Sequence, residues 1–199
     1  MRTVSSERRA VPELPNEERL GTGGMLLLIT TEALLFVSLF FAYFYLGRQH
    51  LVWPPRPPKI ALALVMLAVL AASSFVLHWG EKRLRAGRRD VARAAVGVTI
   101  ALGLVFLALQ FLEYRDHLRS EKPWSSSYAS IFYTVTSVHG IHLIVGLLML
   151  AFALALPRWE PRERSPHRPL HNASLYWHFV DTVWVFIVAF LYLLPRWNR

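Results

Sequence analysis

Five stretches of the chain are apolar over about the length a membrane helix needs: Gly23 to Leu46, Ile60 to Trp79, Val96 to Leu112, Ile131 to Leu156 and Leu175 to Leu194. A spanning helix takes ~20 mostly apolar residues at ~1.5 Å rise each. No stretch alternates polar and apolar residues as a barrel strand would, and hydrocarbon leaves unpaired backbone groups unsolvated, so each span should be an α-helix. The pattern therefore predicts an all-α membrane protein, a five-transmembrane-helix bundle with helices at about 22–46, 60–80, 91–114, 128–156 and 173–194. A polar tail, residues 1–21, precedes a single membrane domain over 22–195. The tail lacks the short apolar region of a secretory signal and the first apolar run is too long to be one, so the first span is expected to stay in the mature protein.

The connections are short. Arg48 to Lys59 holds Trp53, Pro54, Pro55, Pro57 and Pro58, which should run extended as a stiff strap because proline lacks the amide donor and restricts its predecessor. Gly80 to Asp90 reads as a charged hairpin with Gly87 at its turn. Arg115 to Ser127, with Pro123 and Trp124, reads as an interfacial loop, and Pro157 to His171 is rich in proline and arginine. Trp53, Trp79, Trp124, Trp159, Trp177, Tyr192 and Trp197 lie near the span ends and fit an interfacial aromatic belt. Neither an internal repeat nor an inverted pair of broken helices is visible, which weighs against a carrier.

Composition sharpens this picture. Hydrophobic residues make up 54% of the 199 and mean hydropathy is +0.35, more apolar than one soluble core requires. The absence of cysteine excludes disulfides, thiolate metal sites and thioether-linked haem. The formal net charge of +9 could suggest nucleic acid, but the basic residues lie between apolar spans rather than on one soluble face, so no nucleic-acid partner is expected. Of the 22 Lys and Arg residues, fourteen fall in the N-terminus, the second loop and the fourth loop, and eight in the alternate segments. The positive-inside bias thus puts the N-terminus in the cytoplasm and the C-terminus outside.

Function in such a bundle should rest on the polar groups that are expensive to bury. Glu32 lies ten residues beyond Thr22, hence ~15 Å deep, where hydrocarbon favours the neutral acid unless a cation or several donors face it. It is a candidate for proton handling, with a structural carboxyl bonded to a neighbouring helix as the plainer reading. His139 and His142 are three apart on one helical face, with Gly140 and Gly146 allowing close approach of another helix. They could ligate a metal only with further ligands in register, and none matches, so hydrogen bonding across the bundle is expected. His178 and Asp181, again three apart, could hold a charge pair or pass a proton. Gln110 and Glu113 lie near the outer end of the third span, shallow enough for Glu113 to reach the interface, and Ser73 and Ser74 are expected to bond their own helix backbone.

Taken together, Thr31-Glu32-Ala33-Leu34-Leu35-Phe36, Phe40-Phe41-Ala42-Tyr43, Trp53-Pro54-Pro55, Leu109-Gln110-Phe111-Leu112-Glu113-Tyr114, His139-Gly140-Ile141-His142 with Gly146, and Trp177-His178-Phe179-Val180-Asp181-Thr182-Val183-Trp184 closely resemble subunit III of cytochrome c oxidase. The match keeps order from about Gly23 to Tyr192. The resemblance implies a subunit without haem, copper or an active site of its own, held against catalytic subunit I, with subunit II and other respiratory subunits as further partners. It implies a place in the aerobic respiratory chain of a bacterial cytoplasmic membrane. It also implies that Glu32 matches the family's carbodiimide-reactive intramembrane carboxyl, and that the subunit supports proton uptake and protects the catalytic subunit from inactivation. His139, His142, His178, Asp181, Gln110 and Glu113 would then be structural polar groups. The mitochondrial form has seven helices and this chain begins where its third would, so a bound phospholipid is carried over only as a possibility. The equivalent subunit of a quinol oxidase or of a nitric oxide reductase-linked complex, a stand-alone proton or ion transporter, and a cytochrome using His139, His142 or His178 as haem ligands are the other readings.

Overall fold

The computed structural model describes residues 17–50, 53–54, 60–120, 122–156 and 168–197. Most of the polar tail, Pro55, Pro57 and Pro58 of the strap, and residues 157–167 of the fourth loop with Trp159 lie outside the described residues.

The helices are α1 (Glu17–Arg48), α2 (Ile60–Arg85), α3 (Arg89–Ser120), α4 (Ser127–Ala155) and α5 (Arg168–Ile187), the last continuing through a π-helical segment, Val188–Leu193, and a closing turn, Leu194–Trp197. All five are long and apolar enough to cross a membrane. Each extends beyond its apolar stretch at one end or both, where polar residues continue the helical hydrogen bonding, although α2 starts with its stretch at Ile60 and α4 stops at Ala155 with Leu156 as its C-cap. Helix α3 in particular carries on through Arg115 to Ser120, where a loop is expected from composition. Between α2 and α3 the chain turns at Gly87, whose φ of 78° lies in the left-handed region that glycine adopts without a Cβ clash. Gly87 N–H donates to Leu84 C=O and Arg88 N–H to Arg83 C=O, the paired bonds of a Schellman C-cap. Helix α4 starts at Ser126, whose hydroxyl accepts the Ala129 N–H at 3.1 Å.

Contacts between elements order the bundle. Helices α2 and α3 form the tightest hairpin, α3 packs on α4, α4 on α1, and α5 lies against α1, α2 and α4. The chain is therefore an arc, α1-α4-α3-α2, with α5 in its hollow. The share of residues buried in the apolar window falls from 50% in α5 to 11% in α1, so α5 is the axis and α1 the peripheral helix. Two glycines set the tightest spacings. A Cβ at Gly80 would stand 2.6 Å from the Ala95 Cβ across the hairpin, and one at Gly103 would stand 2.7 Å from both Leu147 and Trp177. Glycine is what lets α2 meet α3 and lets the Trp177 indole lie across α3.

The aromatic belt needs correction at two positions. Trp177 and Tyr192 are fully buried: α5 is the axis of the bundle, so aromatic groups near its ends point into protein rather than to the interface. Trp79 and Trp124 are exposed and flanked by cations, with Arg83 4.9 Å from the Trp79 ring and Lys122 5.7 Å from the Trp124 ring, as interfacial anchors should be.

Candidate proton-holding site

The central polar contact joins the peripheral helix to the bundle. Nε2 of His142, on α4, lies 2.9 Å from Oε2 of Glu32, on α1. The other ring nitrogen, Nδ1, lies 2.7 Å from the Val138 carbonyl, one turn back on α4. A carbonyl oxygen can only accept, so Nδ1 carries a hydrogen. Nε2 then either donates to the Glu32 carboxylate as part of an imidazolium or accepts from the neutral acid. In both forms the pair holds one proton between two heavy atoms in hydrogen-bond contact and has no net charge, the state hydrocarbon tolerates best. The buried Phe36 sets its edge against the His142 ring at 5.0 Å between centroids and walls the pair on one side. The Glu32 side chain keeps 29% of its exposure and His142 11%, so the carboxyl opens outward from the bundle.

His139 has a different neighbourhood. Three helical positions are about 60° apart around the axis, enough to turn His139 away from α1. Its ring packs between Phe106 on α3 and Trp184 on α5, at centroid distances of 5.7 and 5.0 Å. It is fully buried, and neither ring nitrogen has a hydrogen-bond partner among the described residues. The expected hydrogen bonding across the bundle thus holds for His142 alone. Gly140 and Gly146 act as the spacing implies, for a Cβ would stand 3.1 Å from the Gln110 amide at Gly140 and 3.0 Å from the Trp177 ring at Gly146. Among the described residues no three His, Asp or Glu side chains gather as a metal-binding group.

His178 and Asp181 meet on a third residue. The Ser74 hydroxyl donates to Asp181 Oδ2 and lies 2.9 Å from His178 Nδ1, so it bridges α2 to both. This corrects the expectation that Ser74 bonds its own backbone. Ser73 does bond the Leu70 carbonyl, at 2.7 Å, and its hydroxyl also accepts the Trp177 indole N–H at 3.0 Å.

Gln110 and Glu113 organise the other end of the bundle. The Gln110 amide donates to the Thr136 carbonyl at 2.8 Å, and Tyr114 Oη lies 2.6 Å from the Thr136 hydroxyl and 3.0 Å from that of Ser137, lacing α3 to α4. Glu113 does not reach the interface. It is 5% exposed and accepts the Tyr192 hydroxyl at 2.9 Å. Tyr192 sits in the π-helical segment, whose extra residue per turn shifts the register of the helix end. Sequence reasoning missed Ser74, Tyr192, Thr136, Ser137 and Trp184 as partners; only adjacency to the other polar positions could have marked them.

The family model for cytochrome c oxidase subunit III matches residues 18–197. The cytochrome c oxidase subunit 3 of Synechocystis is 36% identical over 179 residues, covering 86% of this chain and 74% of its own length. That of Thermostichus vulcanus is 32% identical over 183 residues, 87% of either chain, and that of Coturnix japonica 35% identical over 181 residues, 85% of this chain and 67% of its own. A multi-pass membrane protein with these relatives is one subunit of a respiratory oxidase complex, and the chain belongs to the cytochrome c oxidase subunit III family.

Proposed function

We propose that the chain is the non-redox accessory subunit of a proton-pumping terminal cytochrome c oxidase, packed on catalytic subunit I in a bacterial cytoplasmic membrane, where it supports proton uptake and prolongs the active life of the catalytic subunit. The observation that carries this reading is the Glu32–His142 pair: one proton held without net charge, on the least buried helix, with its carboxyl opening outward. A proton-holding group in that position is of use to a neighbouring protein rather than to this bundle's own interior. The relatives' names favour a cytochrome c oxidase over its quinol-oxidising counterpart. A cleft of about 350 Å³ with Tyr43, Arg48, Trp53 and Phe190 among its walls offers aromatic surface beside a cation, which suits a bound phospholipid with its phosphate at Arg48.

The test is Glu32→Ala in the intact oxidase. Haem spectra should be unchanged, while proton uptake slows or the enzyme inactivates after fewer turnovers. Unaltered turnover, lifetime and pumping would remove Glu32 from the function.

A further inference from the structure

A second set of titratable groups lies on the seam between α2 and α5 and shares no residue with the Glu32–His142 pair. At the membrane face where α2 ends and α5 begins, His171 Nδ1 lies 3.5 Å from Glu81 Oε1. One turn deeper stands the exposed His78, whose ring centroid is 6.4 Å from that of His178. That separation is too long for a direct hydrogen bond between the two rings and short enough for one water to bridge them. His178 Nδ1 is 2.9 Å from the Ser74 hydroxyl, which is itself bonded to Asp181. On α2 the residues 74, 78 and 81, and on α5 the residues 171, 178 and 181, each fall on one helical stripe, and the two stripes face each other.

Depth increases steadily along this set. Ser74 is eight positions inside Lys82, the first charged residue of the loop side after Glu81, and Asp181 is twelve positions inside Pro169, so the inner end lies ~12–18 Å below the surface, close to mid-membrane. The other titratable groups acting on His178 are His78 and Glu81 from α2; Asp181 has Ser74. Asp181 Oδ1 has no hydrogen-bond partner among the described residues. A structural pair would need only His178 and Asp181. It would not need a graded series of groups ending at the charged surface.

We propose that the α2–α5 seam is a proton file that exchanges protons between that membrane surface and Asp181 through His78, His178 and Ser74. In the innermost step, imidazolium His178 gives its Nδ1 proton to Ser74 Oγ as the hydroxyl proton passes to Asp181 Oδ2. One N–H and one O–H bond break, two O–H bonds form, and an ion pair becomes a neutral acid beside a neutral imidazole. Surface water supplies and receives the proton at Glu81 and His171, and rotation of the hydroxyl resets the relay.

The experiment is infrared spectroscopy of the full chain, purified with the subunits that accompany it, after a rapid change into D₂O. The carboxylic acid band abolished in Asp181→Asn identifies the inner terminus. In the unaltered protein this band shifts promptly. In Ser74→Ala and in His78→Gln the shift slows about tenfold or more, equivalent to at least ~1.4 kcal/mol on the barrier, and Ser74→Thr, which keeps the hydroxyl, restores it. Because His78 is exposed, its variant keeps the fold even if Ser74→Ala does not. Equal exchange rates in all of these proteins, or no exchange at Asp181 in the unaltered one, would overturn the file.

Discussion

The imidazole of His142 is fixed by the Val138 carbonyl on one side and by Glu32 on the other, so that α1, the least buried helix, is tied to α4 by a hydrogen bond that carries a proton. His139, one turn earlier, makes no such bond. The two histidines share a helix and a motif but not a task.

That difference is measurable. His142→Leu leaves the Glu32 carboxyl without its partner and should cost about 1–3 kcal/mol in unfolding of the purified chain in detergent. His139→Leu exchanges one buried, unbonded ring for an apolar side chain of similar size and should cost under about 1.5 kcal/mol. The reverse order would mean that the His139 ring is bonded in the native protein.

The α2–α3 spacing rests on Gly80. With Ala95 only 2.6 Å from its would-be Cβ, Gly80→Ala should force the hairpin apart and destabilise by about 1–3 kcal/mol. Gly97, on the same hairpin, has nothing within 4 Å of its would-be Cβ, so Gly97→Ala should be neutral or stabilise by up to about 1 kcal/mol through helix propensity. Thermal unfolding of the two variants side by side decides the matter, and equal effects would contradict the geometry.

Glu113 and Tyr192 form the buried contact of the other end. Tyr192→Phe should cost about 1–3 kcal/mol by leaving a carboxyl oxygen unsatisfied. Combined with Glu113→Gln, a double-mutant cycle should give a coupling of about 0.5–3 kcal/mol. Additive losses would show that the two side chains do not act on each other.

Much of this architecture could be read before any coordinates, for definite reasons. Span number follows from apolar length, the α2–α3 turn from Gly87, and the close approach at α4 from Gly140 and Gly146. What stayed hidden depends on long-range pairing. Ser74 looked like a backbone-bonding serine because its partners lie more than a hundred residues away. Glu113 looked shallow because its position along α3 is near the end, and nothing in the residues around Val188 announces a π-helical segment that would aim Tyr192 at it. Trp177 looked interfacial because hydropathy locates an aromatic residue along a helix but not around it, and half of the α5 span, Trp177 included, is buried inside the bundle.

The most direct test of the central claim is purification of this chain from native membranes in mild detergent, with a reduced-minus-oxidised spectrum and mass spectrometry of the eluate. The account predicts haem bands and a large haem-copper catalytic subunit in stoichiometric amount. A chain that elutes alone and colourless, and that moves protons across liposomes by itself, would contradict it.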